Sequence, residues 1–106
     1  MAVVHATDAT FDELVVKASL PTLVDYWADW CSPCKQLSPI IEELASTYEG
    51  RLNVVKLDTN ANPMVPTQQG VLSLPTLQVY VNGEVVKQLQ GGKTKAQLIR
   101  ALEEYL

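Results

Sequence analysis

The sequence predicts an α/β protein built on one mixed sheet, and three observations predict it. An apolar run without alternation at residues 22–28 and a second strand-like run at 52–58 flank a segment whose apolar residues recur at helical spacing. Strands covered on both faces lose their alternation, and two strands joined through a helix pair in parallel. Further along, Asn82-Gly83 separates two β-rich runs. Both central residues of such a turn must accept positive φ, so this dipeptide signals a hairpin, which adds an antiparallel pair.

The elements follow in order. Val3-Val4 is compatible with a short first strand. Thr10 with Glu13 suggests a capping box, Asp8 and Thr7 being the other capping residues, and Phe11, Leu14, Val15 and Ala18 keep helical spacing. A helix over 8–18, stopped before Pro21, is expected. Residues 22–28 are rich in β-branched and aromatic side chains, as a central strand requires. From Pro33, residues Leu37, Ile40, Ile41, Leu44, Ala45 and Tyr48 mark one helical face, with Pro33 at the first position and Gly50 as the stop. Pro39 lies inside that helix and should remove one backbone bond and kink it. After the strand at 52–58, Asn62-Pro63 reads as the cap and first position of a short helix ending near Gly70, with Pro66 inside it. The hairpin strands span 76–81 and 84–90, and Gly91-Gly92 ends the second. Thr94 and Gln97 form a capping box for a last helix whose apolar face is Leu98, Ala101, Leu102 and Tyr105.

Composition bounds the function. A chain of 106 residues fits a single domain over 1–106. It hides roughly 65% of its unfolded surface on folding, enough for a core without metals or disulfides. With 47% apolar and 19% charged residues it is globular, not disordered. Eight Lys/Arg against twelve Asp/Glu leave a net charge of −4, which argues against nucleic-acid binding. Residues 1–8 lack a basic leader and an apolar run, and no stretch approaches the ~20 apolar residues of a membrane span, so a soluble, cytoplasmic protein is expected. In a reducing compartment a pair of cysteines is more often catalytic or metal-binding than structural.

Those two cysteines form Cys31-Ser32-Pro33-Cys34, at the junction of a buried strand and a helix start. Free N–H groups and the macrodipole at a helix N-terminus favour a thiolate, which is the nucleophile of disulfide exchange. Cys34, one turn on, can attack the sulfur of Cys31. Cys31 is expected to face water and Cys34 to be shielded within the helix. Three other readings compete. A structural disulfide here closes a loop of only about four residues and gains little. A metal site needs about four ligands, whereas the chain offers two cysteines and a distant His5 unless a dimer shares them. Haem attachment wants His where Lys35 stands.

Trp30-Cys31-Ser32-Pro33-Cys34-Lys35, preceded by Val24-Asp25-Tyr26-Trp27-Ala28-Asp29, closely resembles the active-site segment of the thioredoxin family. The resemblance continues through Lys56, Leu74-Pro75-Thr76 and Asn82-Gly83-Glu84-Val85 to Gly91, over essentially the whole chain. It implies a thioredoxin fold, a central five-stranded mixed sheet flanked by four helices, and reduction of protein disulfides. It implies no cofactor beyond the Cys31–Cys34 disulfide, and a thioredoxin reductase that restores the dithiol. A monomer is expected, with disulfide-containing proteins as partners and no metal.

The neighbouring residues take roles from the same comparison. Asp25 interrupts an apolar strand, where desolvation raises a carboxyl pKa; the resemblance makes it the proton acceptor for Cys34. Without that role it is a carboxylate satisfied by local hydrogen bonds. Asp25→Ala should then slow turnover and leave the fold as stable or more so. Lys56 reads either as a solvated strand residue or, by resemblance, as an ammonium that favours the ionised Asp25. Trp30, Pro33, Leu74, Pro75 and Gly91 resemble an apolar substrate-docking rim, with the family's cis bond before Pro75 presenting the Leu74 backbone to an extended peptide. Two positions depart from the family: Ser32 replaces glycine and could hydrogen-bond the Cys31 thiolate, and Gln69 replaces an aromatic residue. The rival readings are a thioredoxin-like binding module with incidental redox activity, and an oxidase or isomerase.

Overall fold

Nine elements alternate along the chain in the computed structural model, which describes residues 3–106. Strands β1 (Val3–Ala6), β2 (Thr22–Trp27), β3 (Asn53–Asp58), β4 (Thr76–Val81) and β5 (Glu84–Gln90) form one sheet in the order β1-β3-β2-β4-β5. Helices α1 (Asp12–Val16), α2 (Ser32–Thr47), α3 (Met64–Gln68) and α4 (Lys95–Glu103) connect them. β3 runs parallel to both β1 and β2, while β4 is antiparallel to β2 and β5. The five-stranded mixed sheet with four helices is therefore present.

The alternation of β2 divides the core in two. Leu23 packs with Leu37, Ile41 and Leu44 of α2 and with Leu98 and Leu102 of α4. Val24 and Tyr26 pack on the other side with Phe11, with Val15 of α1 and with Val65 of α3. Asp25 and Trp27 share the parity of Leu23, so they belong to the face that α2 covers. Each fully buried Leu, Ile or Val contributes about 1.5–3 kcal/mol, which is how two-sided burial of β2 anchors the site.

The hairpin turn is as read: Asn82 has φ +54° and Gly83 φ +82°. Thr94 and Gln97 close the expected capping box. α2 starts at Ser32, which moves Pro33 to the second helical position, and runs unbroken through Pro39 to Thr47. Two expectations need correction. The helix placed over 8–18 is confined to Asp12–Val16 and is wound in the wider π form, with the Lys17 N–H donating to the Asp12 carbonyl at 2.9 Å. The turn before it leads into it, with the Phe11 and Leu14 N–H groups donating to the Thr7 and Thr10 carbonyls, and the Thr7 and Thr10 hydroxyls accept from each other's backbone N–H at 3.2 and 2.8 Å. Glu13 contacts Lys17 instead of closing a box with Thr10.

The second correction concerns α3. Pro63, not Asn62, occupies its cap position, and Pro63 makes no side-chain cap. The cap comes from Asp8, whose carboxylate accepts from the N–H groups of Met64 and Val65 at 3.1 and 2.9 Å. Asn62 returns the contact by accepting from the Asp8 N–H at 2.9 Å. Orphan donors at a helix start can be satisfied by any nearby oxygen, and here the oxygen lies more than fifty residues away in sequence.

Candidate active site

β2 delivers the chain to Cys31, and α2 begins on the next residue. Cys31 is the helix cap: its backbone is extended and its Sγ accepts from the Cys34 N–H at 3.2 Å. Pro33 costs the first turn nothing, since the N–H it lacks has no intrahelical partner there. The two sulfurs are bonded to each other. One of them therefore lies under a backbone donor at the positive end of a sixteen-residue helix, and the other sits within the first turn.

Access does not distinguish them. Cys31 was expected to face water, but it is 4% exposed against 3% for Cys34. Ala28 packs with both cysteines, and Trp27 and Leu74 close over this cluster. A residue tied into the cap and covered from the sheet side has little surface left. The difference between the cysteines is electrostatic.

Asp25 is fully buried, and neither carboxyl oxygen has a hydrogen-bond partner among the described residues. Desolvation raises its pKa to about 6, against an opposing pull from Lys56. Lys56 is buried too, directly opposite Asp25 in the parallel β2–β3 register. It is not the solvated strand residue that composition alone allowed. Its ammonium donates to Ser38 Oγ on α2 at 2.8 Å and stands 5.3 Å from the centre of the Trp27 ring. No Asp25–Lys56 ion pair closes. Nor is Asp25 a carboxylate satisfied by local hydrogen bonds.

The expected rim is only partly a rim. Trp30 is 67% exposed and, with Leu74, lines a groove of about 230 Å³ completed by Thr59, Pro66, Val71, Leu72 and Ser73. Its indole N–H donates to Asn60 Oδ1 at 3.3 Å. Pro33 is exposed, but it borders a separate depression between α2 and the start of α4. Pro75 follows a cis peptide bond, as the resemblance implies, and is buried. Its carbonyl accepts from the Gly91 N–H at 2.9 Å, which ties that half-buried glycine to the same corner. Ser32 and Lys35 are exposed, as is His5 on β1.

Sequence reasoning missed Ser38, Asn60, Thr59 and Leu72. Ser38 alone carried a signal, lying four residues after Cys34 and so on the same face of α2. Leu72 is 94% exposed in a segment without periodicity.

A disulfide at the tip of a helix, one sulfur under a backbone donor and an unpartnered carboxyl buried on the covered face behind, defines a protein of thiol–disulfide exchange. The comparisons agree. The family model described as Thioredoxin matches residues 2–104. The chain is 41% identical over 105 residues to thioredoxin 1 of Nostoc sp. (strain PCC 7120), covering 99% of this chain and 98% of that one. It is 46% identical to the thioredoxin of Streptomyces clavuligerus over 96 residues, 91% of this chain and 89% of the relative. The thioredoxin of Haemophilus influenzae shares 39% over 104 residues, 98% and 97% of the two chains. The chain belongs to the thioredoxin family. It is a thiol–disulfide oxidoreductase of the protein-disulfide reductase type, and its redox group is its own Cys31–Cys34 pair. As in that family generally, its substrates are disulfides and a reductase restores the dithiol.

Proposed function

We propose that the protein acts as a single-domain cytoplasmic monomer and reduces disulfides of other proteins in two steps led by Cys31. The thiolate of Cys31, held by the Cys34 N–H and the helix terminus, attacks one sulfur of the substrate disulfide. A mixed disulfide forms, and the first substrate sulfur leaves as a thiolate that takes a proton from solvent. Cys34 then gives its thiol proton to Asp25. Its thiolate attacks Cys31 Sγ, the intramolecular disulfide closes and the second substrate sulfur departs. The substrate gains two electrons and the Cys31–Cys34 pair loses them.

Asp25 suits this role because a carboxyl with a pKa of about 6 is mostly ionised at pH 7 yet holds a proton better than a solvated one. Lys56 tunes it from the neighbouring strand. Trp30 and Leu74 supply the apolar wall beside which a substrate chain lies, with Pro33 on the other side of the pair. Gly91 and Pro75 hold the corner behind Leu74. The observation that carries the reading is the N–H of Cys34 on the sulfur of Cys31, which supports Cys31 as the attacking group.

Insulin reduction with dithiothreitol separates this enzyme from a binding module. Wild type accelerates precipitation, Cys31→Ser abolishes it, and Cys34→Ser accumulates a covalent adduct on non-reducing gels. Adducts on Cys31→Ser but not on Cys34→Ser would reverse the assignment. A redox potential above that of glutathione would favour an oxidase over a reductase.

A further inference from the structure

Ser38 is outside every role given above, yet its hydroxyl is the hydrogen-bond acceptor that the structure gives to the Lys56 ammonium, at 2.8 Å. Lys56 is only 8% exposed, and a nearly buried ammonium needs acceptors. A charged acceptor, the carboxylate of Asp25, stands opposite it on the neighbouring strand and feels its charge. The two residues are register partners on adjacent strands, which lie about 4.8 Å apart. Despite that, both Asp25 oxygens stay without a hydrogen-bond partner while the ammonium turns to α2 and to the face of Trp27. The arrangement has a built cause: Ser38 offers Lys56 an alternative partner.

We propose that Ser38 is a positioning residue for the resolving step, holding the Lys56 ammonium off Asp25 so that the carboxyl stays a base without a direct ion partner. The proposal rests on the reading of Asp25 as the proton acceptor of Cys34. Closing the pair would stabilise the carboxylate and weaken it as a base, since an opposite charge at contact favours the ionised form. At its present distance Lys56 offsets part of the desolvation without cancelling it.

The other groups that face this pair are few. β1 places His5, exposed, opposite Lys56 in the register. β3 places Asp58 two residues on, with its Oδ1 already accepting from the N–H groups of Asn60 and Ala61. β4 places the apolar Leu77 opposite Asp25. α2 contributes the cysteine pair and the exposed Lys35. The Ser38 hydroxyl, which carries no charge, can therefore set the distance between the two charges without adding one.

The test follows the carboxyl carbon of Asp25 by NMR through a pH titration of the oxidised protein, in wild type, Ser38→Ala and Ser38→Thr. In Ser38→Ala the ammonium turns to Asp25 and the midpoint drops by about one pH unit or more, as contact pairs typically do. Ser38→Thr keeps the hydroxyl and restores the wild-type midpoint. In a Lys56→Met background, Ser38→Ala has no effect, because there is no ammonium to release. An unchanged or raised midpoint in Ser38→Ala overturns the proposal, and so does an equal drop without Lys56. The pH profile of adduct resolution moves with the midpoint. If the midpoint moves but Asp25→Ala resolves adducts at the wild-type rate, the proton-acceptor role of Asp25 falls while the grip of Ser38 on Lys56 stands.

Discussion

Removing Asp25 should change how stability depends on pH, by an amount the structure sets. The carboxyl is fully buried without hydrogen-bond partners among the described residues, and desolvation lifts its pKa from 3.8 to about 6 in the folded protein. A raised folded-state pKa means that the folded form binds the proton more tightly, so the contribution to stability is complete below pH 3.8 and is lost as pH rises through 6. The interval is about two pH units at 1.36 kcal/mol each, or about 3 kcal/mol of stability forgone at pH 8. Asp25→Ala abolishes this dependence. Its pH-independent costs, such as a small cavity, cancel when the difference between variant and wild type at pH 3.5 is subtracted from that at pH 8. Urea unfolding of the oxidised proteins at both pH values supplies the four numbers. The variant should gain about 3 kcal/mol relative to wild type between the two conditions. Parallel pH dependences, or a variant that loses ground as pH rises, would refute the reasoning that Asp25 is held desolvated and unpaired.

Two further outcomes test the fold around the site. Asp8→Ala leaves the first N–H groups of α3 without their acceptor and should cost about 1 kcal/mol in urea unfolding, with hydrogen exchange rising first at Met64 and Val65. No loss would mean that water replaces the carboxylate without penalty. Gly83→Ala and Gly50→Ala both force a side chain into positive φ, but a Cβ at Gly83 meets the Val16 carbonyl at 3.0 Å whereas one at Gly50 meets nothing. Gly50→Ala should cost about 1–2 kcal/mol and Gly83→Ala measurably more; equal losses would show that the hairpin turn can move away from α1.

What was legible in the sequence is what neighbouring residues decide among themselves. Asn82-Gly83 sets its own turn, Thr94 and Gln97 their own cap, and the spacing of Leu37, Ile41 and Leu44 its own buried face. The Cys31-Ser32-Pro33-Cys34 segment belongs with these, since its chemistry follows from a strand ending and a helix starting beside it. Features set by distant partners were not legible. Asp8 looked like a cap for its own helix because nothing local reveals a helix start fifty-six residues on that needs oxygen. Cys31 looked exposed because Leu74, which packs over it, comes from another loop. The buried polar set of Tyr26, Gln78 and Tyr80 gave no periodic signal either. Both tyrosine hydroxyls donate to the Gln78 carbonyl oxygen, at 2.8 and 3.0 Å, across two strands.

The site itself combines two opposite treatments of negative charge, one at the tip of α2 and one on β2. Cys31 Sγ is given a donor and a helix terminus, which together lower the free energy of the anion. Asp25, on the face beneath, is denied both, and the cation beside it is turned toward Ser38. On the proposed roles, exchanging the treatments would deprive the Cys31 thiolate of its support and make Asp25 a weaker base. The exchange reaction needs the first sulfur ionised before substrate arrives and the second only afterwards. In the proposed roles, a stabilised Cys31 thiolate and a destabilised Asp25 carboxylate meet that order. The cost of about 3 kcal/mol is a large fraction of the 5–15 kcal/mol typical of a folded domain. A fold can carry it when the strand that bears the carboxyl is packed on both faces, as β2 is between α2 and α4 on one side and α1 and α3 on the other.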